Sequence, residues 1–275
     1  MISVLILTLN EDSNLPSCLG SVSWCDDIVV LDSFSTDRTP SVAQEFGARV
    51  IQRKFDNWAS HQNWAMANIR FKHKWVFYLD ADERMTEDLR QEICAIAADQ
   101  NEDRVAFYCG RKNYFMGKWI AHCYPPGFIM RFFKPSRIRF ERLVNPTPIV
   151  DGKYGYLEKM FIHFNFSKGL SEWFDKHNKY SLLEAMEGMK LKNDCHFSLS
   201  ALLSGDAAIR RKALKNLSFK MPLRSLLKFC YLYFLRLGFL DGHPGFIYCT
   251  LQSLYEYMIV LKMYEMERNE KNLPI

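Results

Sequence analysis

The stretch Trp75-Val76-Phe77-Tyr78-Leu79-Asp80-Ala81-Asp82-Glu83 constrains the fold more than any other part of the chain. Its aromatic and branched apolar residues read as a strand buried on both faces, the pattern of a parallel sheet with helices on either side. Two carboxylates one residue apart follow at the strand's C-terminal end, where an open α/β sheet keeps its ligands. In an extended segment Asp80 and Asp82 point to the same side, so one divalent cation and the groups bound to it could meet both. A core strand has no structural need for such a pair.

Other apolar runs build the same architecture. Ile2 to Leu7 is a buried strand whose polar exit is Thr8-Leu9-Asn10-Glu11, ahead of a helix near Asn14 to Ser21. Ile28 to Leu31 is a second strand, ended by Asp32-Ser33-Phe34-Ser35-Thr36-Asp37. There Ser35 or Thr36 can cap a helix over Pro40 to Phe46 that Gly47 closes. Ala48 to Gln52 is a shorter strand, and Asn57 to Ile69 reads as a helix. This alternation predicts a mostly parallel, doubly wound α/β sheet with helices on both faces. After a helix over Glu87 to Ala98, Val105 to Cys109 and Phe128 to Phe133 read as strands. The aromatic segment Asn113 to Pro126 between them reads as a lid or acceptor wall. Ile138 to Val144, Val150 and Met160 to Phe164 complete the sheet region. From Gly169 onward helical periodicity dominates, broken at Asp241-Gly242-His243-Pro244-Gly245. Two parts are therefore expected, 1–168 and a helical extension over 169–275.

Charge matters here by its distribution. The net +5 is too small to argue for a nucleic-acid partner. Between Ala207 and Leu240, however, there is no acid, while Arg210, Arg211, Lys212, Lys215, Lys220, Arg224, Lys228 and Arg236 are basic. Leu226, Leu227, Cys230, Tyr231, Phe234 and Leu237 recur at helical spacing, so the expected partner of this region is an anionic membrane surface. The opening apolar run lacks a basic leader and reads as a strand, and no apolar run approaches the ~20 residues of a spanning helix. Eight scattered cysteines with no CxxC pair read as reduced thiols. The expected location is the cytoplasm, at the periphery of the inner membrane face.

Three polar strand ends in order, Thr8-Leu9-Asn10-Glu11, Asp32 to Asp37 and Asp80-Ala81-Asp82-Glu83, closely resemble the family-two inverting glycosyltransferases with the GT-A fold. Tyr114 to Trp119, Arg131-Phe132-Phe133, Arg142-Leu143-Val144 and Gly238 to Phe246 look like the branch of lipopolysaccharide-core β-glucosyltransferases. The resemblance covers nearly the whole chain. It implies transfer of a hexose, with UDP-glucose leading, from a nucleotide-sugar donor to a glycan or lipid-linked acceptor, assisted by Mg²⁺ or Mn²⁺. Thr8, Asn10 and Glu11 would meet the nucleoside, and Asp32 would accept from the uracil N–H beside Ser33 and Ser35. Asp80, next to Ala81, would face the ribose or the metal, Asp82 would ligate the metal, and His163 would complete its shell. Arg131 and Arg84 would hold the phosphates.

Inversion needs a carboxylate to take the acceptor's proton. The related branch reads Val-His-Glu after Arg-Leu-Val, whereas this chain has Val144-Asn145-Pro146. Glu141 is the nearest replacement and Asp151 the next. A nucleotidyltransferase would want a Gly-rich basic loop after the first strand, where Leu9-Asn10-Glu11-Asp12 is acidic. An Asp-x-Asp phosphatase would place its nucleophile on that same first strand. A non-catalytic, membrane-associated UDP-binding homologue is the reading from another class.

Overall fold

The computed structural model describes residues 1–124, 126–141, 146–194, 205, 210 and 223–275, with backbone only over 190–194. In chain order the elements begin β1 (Ser3–Thr8), α1 (Leu15–Ser21), β2 (Ile28–Asp32), α2 (Thr39–Glu45), β3 (Arg49–Gln52), α3 (Trp58–Asn68) and β4 (Val76–Asp80). They continue with β5 (Glu83–Arg84), α4 (Glu87–Ala98), β6 (Arg104–Phe115), β7 (Lys118–Trp119), β8 (Phe128–Phe133), β9 (Ile138–Glu141), β10 (Thr147–Val150) and β11 (Lys153–His163). Three longer-range helices follow: α5 (Gly169–Asp194), α6 (Arg224–Cys230) and α7 (Gly242–Glu270). The chain divides into two compact units, Met1–Tyr114 with Pro125–Ser167, and Phe115–Tyr124 with Lys168–Ile275.

In the first unit the sheet runs β3-β2-β1-β4-β8-β6-β11-β5. Its β3-β2-β1-β4 half is parallel, with Thr8 opposite Asp32 and Leu7 opposite Asp80, so the polar ends of three strands share one rim. The other half is mixed: β8 is antiparallel to β4 and β6, β11 is parallel to β6, and β5 is antiparallel to β11. One face buries Ile6, Val30, Phe77 and Leu79 under Leu15, Leu19, Val42, Leu89 and Ile93 of α1, α2 and α4. The other buries Leu5, Leu7, Val29 and Tyr78 under Ala59 and Ala65 of α3. Burial on both faces explains the near-continuous apolar runs of β1, β2 and β4.

Two elements differ from the sequence expectation. The aromatic stretch after Cys109 is not a loop at its start, because β6 continues to Phe115. Val105, Phe107, Cys109, Asn113 and Phe115 share one parity, and all are buried. Positive φ at Met116 and Gly117 (49° and 75°) then turns the chain into β7. In the second unit the break expected at Asp241 to Gly245 begins earlier in the chain, and Gly242 to Gly245 already belong to the following helix. Beyond α6 comes a single π-turn over Tyr231–Leu235, Leu237 takes a φ of 58°, and a 3₁₀ turn over Gly238–Asp241 leads into α7. The reason is close packing: a Cβ on Gly245 would fall 2.3 Å from the Gly238 carbonyl oxygen, and one on Gly238 would fall 2.7 Å from that of Leu232. Ala185 and Met189 of α5 pack on Ile259 and Met263 of α7. Arg210 apart, the basic residues from Arg211 to Lys220 lie outside the described residues, as do Arg142 to Asn145.

Candidate active site

The exit loops of β1 and β2 are laced together at the rim. The backbone N–H of Asn10 donates to Ser35 Oγ (2.8 Å), that of Thr36 to Asn10 Oδ1 (2.8 Å), and that of Glu11 to Thr39 Oγ1 (2.7 Å). Glu11 Oε2 accepts from Asn14 Nδ2 at 2.7 Å. Asn10 and Phe34 both have left-handed backbone, φ 55° and 61°. Asparagine tolerates this, whereas phenylalanine is held there at a cost of ~1–2 kcal/mol. The anchor is Asp32, which is completely buried. Its Oδ1 accepts from Thr8 Oγ1 (3.1 Å) and Ser35 Oγ, and its Oδ2 from Ser35 N (2.9 Å) and Gln52 Nε2 (3.2 Å). Four protein donors thus occupy the carboxylate that the resemblance assigns to uracil, and its evident work is shaping the loop.

Arg131 of β8 corrects a second expectation. It is buried, not open to phosphate: Nη2 lies 2.6 Å from both Asp80 Oδ2 and Glu83 Oε1, and the guanidinium sits 4.1 Å over the Tyr78 ring. The Tyr78 hydroxyl donates to Asp80 Oδ1 at 2.6 Å, and the Asp80 N–H to Glu83 Oε2 at 2.9 Å. Burial pushes Glu83 up to about 7, against the pull of Arg131 and with the neighbouring Asp80 charge adding to the rise. Burial also works against ionised Asp80, but the Arg131 charge and the Tyr78 hydrogen bond hold it below the usual carboxylate range. Arg84 likewise serves the fold. It donates to the carbonyls of Ala81 (2.8 Å), Glu83 (2.7 Å) and Asn14 (3.0 Å), tying the buried Ala81 turn to the α1 entrance. An arginine inside a sheet reaches acids on adjacent strands before it reaches solvent, and once paired there it stays.

The two carboxylates of the Asp-x-Asp pair do not act alike. β4 ends at Asp80, and Ala81 and Asp82 form a turn, so the alternation that would align the side chains stops. Asp82 instead meets His163, the last residue of β11, with Nε2 3.5 Å from Asp82 Oδ2. His163 sits between Glu83 of β5 and Asn113 of β6 in the sheet. Its Nδ1 lies 3.0 Å from Oδ1 of buried Asn113, and with the proton on Nδ1 the ring would turn the Nε2 lone pair toward Asp82. Two electron-rich atoms facing each other at this spacing suit an interposed cation, since adjacent ligands of a Mg²⁺-sized ion lie about 3 Å apart. Among the described residues no cluster of three or more His, Cys, Asp or Glu ligands occurs, and Asp82 and His163 are the pair that would hold a cation there. Asn113 and Tyr78 were not singled out by sequence. The parity of β6 marks Asn113 as a buried polar residue on an apolar face, and that signal could have found it.

Glu141 and Asp151 are not brought to this pair. Glu141 ends β9 in a separate two-stranded sheet with β10, exposed and 3.1 Å from Arg139. Asp151 pairs with Arg137 at 3.1 Å, beside Gly152, whose added Cβ would meet Val105 at the start of β6. Asn113, beside His163, is eight residues further along that strand, so Asp151 lies on the order of 25 Å from the rim.

A family model described as glycosyl transferase family 2 matches residues 3–163, from β1 to the last residue of β11. The chain belongs to glycosyl transferase family 2. This glycosyltransferase is 26% identical to the lipopolysaccharide core biosynthesis glycosyltransferase LpsC of Rhizobium meliloti, over 96% of this chain and 92% of that one. It is 22% identical to an uncharacterized glycosyltransferase of Rickettsia typhi, over 99% of this chain and 89% of the relative. Among solved structures, residues 1–349 of TarS from S. aureus give a TM-score of 0.43 at 14% identity, covering 94% of this chain and 82% of that one. Family membership makes the chain an enzyme that transfers a sugar, and the nucleotidyltransferase and phosphatase readings fall away.

Proposed function

We propose that this glycosyltransferase moves a hexose, with UDP-glucose the leading donor, onto a glycan or lipid-linked acceptor such as lipopolysaccharide core, with inversion and with Mg²⁺ or Mn²⁺. The observation that carries the reading is the Asp82–His163 pair with its ring orientation set by Asn113. Similarity to LpsC along almost the full length supports the acceptor class. A bound cation would neutralise charge on the departing nucleoside diphosphate. Asp82 and His163 would hold it, and Asp80, fixed by Tyr78 and Arg131, would accept from a ribose hydroxyl. Thr8, Asn10, Glu11 and Ser35 shape the nucleoside side of the rim, with Asp32 beneath them. Of the two candidate bases the proposal keeps Glu141, because Asp151 stands by the start of β6, at the end of the strands away from the rim.

Residues 1–168 are proposed to carry the donor site, and 169–275 to work at the periphery of an anionic membrane. The test is transfer from UDP-glucose to a lipopolysaccharide-core acceptor pool with Mn²⁺ and with EDTA. Transfer should require the metal, and Asp82→Ala should lower it by about a hundredfold or more with an unchanged circular dichroism spectrum. Transfer by that variant at the parent rate would remove Asp82 from the site.

A further inference from the structure

In the second unit, large apolar side chains face solvent in close succession between Leu223 and Phe246. Phe234, Leu235 and Leu240 are 56%, 77% and 52% exposed, with Leu226, Tyr231 and Leu237 exposed beside them. Soluble surfaces rarely gather so many large apolar side chains in so short a stretch without a partner. The segment is firmly seated from beneath. Leu232 and Gly238 are buried, the Gly238–Gly245 approach admits no side chain, and Asp241 accepts from the N–H groups of Ala121 (3.1 Å), His122 (3.0 Å) and Cys123 (2.8 Å). The bare side chains therefore belong to a built turn.

Charge identifies what would cover it. The sequence from Ala207 to Leu240 carries eight basic residues and no acid. Arg224 and Lys228 reach Glu256 of α7, at 2.6 and 4.0 Å, so part of that charge is met within the unit. Arg236 stands within the apolar turn, and five further basic residues precede it in the sequence from Arg210 to Lys220. A second copy would bring like charge against like, whereas acyl chains beneath anionic headgroups match both features at once. Among the described residues no helix is long and apolar enough to cross a membrane, so the contact would be made from one side.

We propose that the turn between α6 and α7 is a membrane wedge. It sinks Phe234, Leu235 and Leu240 to the acyl boundary of an anionic bilayer, while Arg236 of the same turn meets the headgroups. This deepens the proposed function and rests on its lipid-linked acceptor; the geometry differs from a helix lying flat, because the exposed residues are carried past the end of α6.

Flotation of the full chain with phosphatidylethanolamine vesicles containing phosphatidylglycerol, against phosphatidylcholine alone, tests it. The parent should float with the anionic vesicles and release as salt is raised. Phe234→Asp with Leu235→Asp should weaken binding by at least about tenfold, with Mn²⁺-dependent UDP affinity unchanged. Leu235→Trp should show quenching by acyl-brominated lipid beyond that of the parent. Parental flotation by the double Asp variant, no added quenching, or a parent dimer that the Asp variant splits would each overturn the wedge. A parent that does not bind the vesicles yet transfers to a water-soluble acceptor also counts against the wedge and leaves the function standing. Binding retained with no transfer to any acceptor supports the wedge and counts against the function.

Discussion

His163 has Nδ1 3.0 Å from the amide oxygen of buried Asn113 and Nε2 3.5 Å from Asp82, so a proton held on Nδ1 by Asn113 would leave the Nε2 lone pair facing Asp82. A leucine at position 113 would fill similar space without an acceptor, leave the Nδ1–H unsatisfied and free the ring to flip. Asn113→Leu should therefore weaken Mn²⁺-dependent UDP binding by about 10–100-fold, measured by calorimetric titration, while Asn113→Asp should retain it. Equal metal dependence in all three proteins would show that Asn113 does not orient the ring. Sequence named Asp82 from the strand-end acids and His163 from the family resemblance, and the structure brings the two side chains within 3.5 Å. The roles of Asp80, Asp32 and Arg131 were not legible there. Sequence gives a residue's position along a strand, but whether a carboxylate at a rim is spent on the protein depends on donors from other strands. Gln52 reaches Asp32 from β3 and Arg131 reaches Asp80 from β8, joining Tyr78 of β4 itself.

Elements were legible where the period was strong. The helix expected over Glu87 to Ala98 is α4 to the residue, and the buried runs at β1, β2 and β4 appear where they were read. The break between α6 and α7 was legible from Asp241 to Gly245, but packing sets it earlier, over Tyr231 to Asp241. There Asp241 stands at the N-terminus of α7 yet makes no side-chain cap; it spends its carboxylate on residues 121–123 and on His122 Nδ1 at 2.7 Å. Burial alone would raise its pKa, but the hydrogen bonds from Cys123 and His122 outweigh this and hold it below the usual carboxylate value. A depressed folded-state pKa means stabilisation that is present above the ordinary value of about 3.9 and lost as pH falls through the folded one. Asp241→Asn turns an amide NH₂ toward backbone donors and should cost about 1–3 kcal/mol at pH 7. Thermal denaturation from pH 7 to pH 3 should show the gap to the parent closing on the acid side. A gap that stays constant would mean the carboxylate charge is not what holds the clasp.

For the whole molecule, the two units assign different work to different parts of one chain. The first holds the rim, and the second holds α5, α7 and the apolar turn. A ligand stabilises only what it binds, by RT ln(1 + [L]/Kd), so differential scanning calorimetry on the intact chain can read which part receives the donor. UDP and Mn²⁺ together, at about a hundred times Kd, should add about 2.7 kcal/mol, raising the transition of a unit this size by roughly 5–10 °C. Either alone should do much less, because the Asp82–His163 pair would supply two ligands and the remainder would come from diphosphate oxygens and water. The shift should vanish in Asp82→Ala and persist in the Phe234→Asp, Leu235→Asp variant, since those residues belong to the other unit. If the double variant lost the shift while Asp82→Ala kept it, the donor would bind in the second unit, and the division of labour proposed for 1–168 and 169–275 would be reversed.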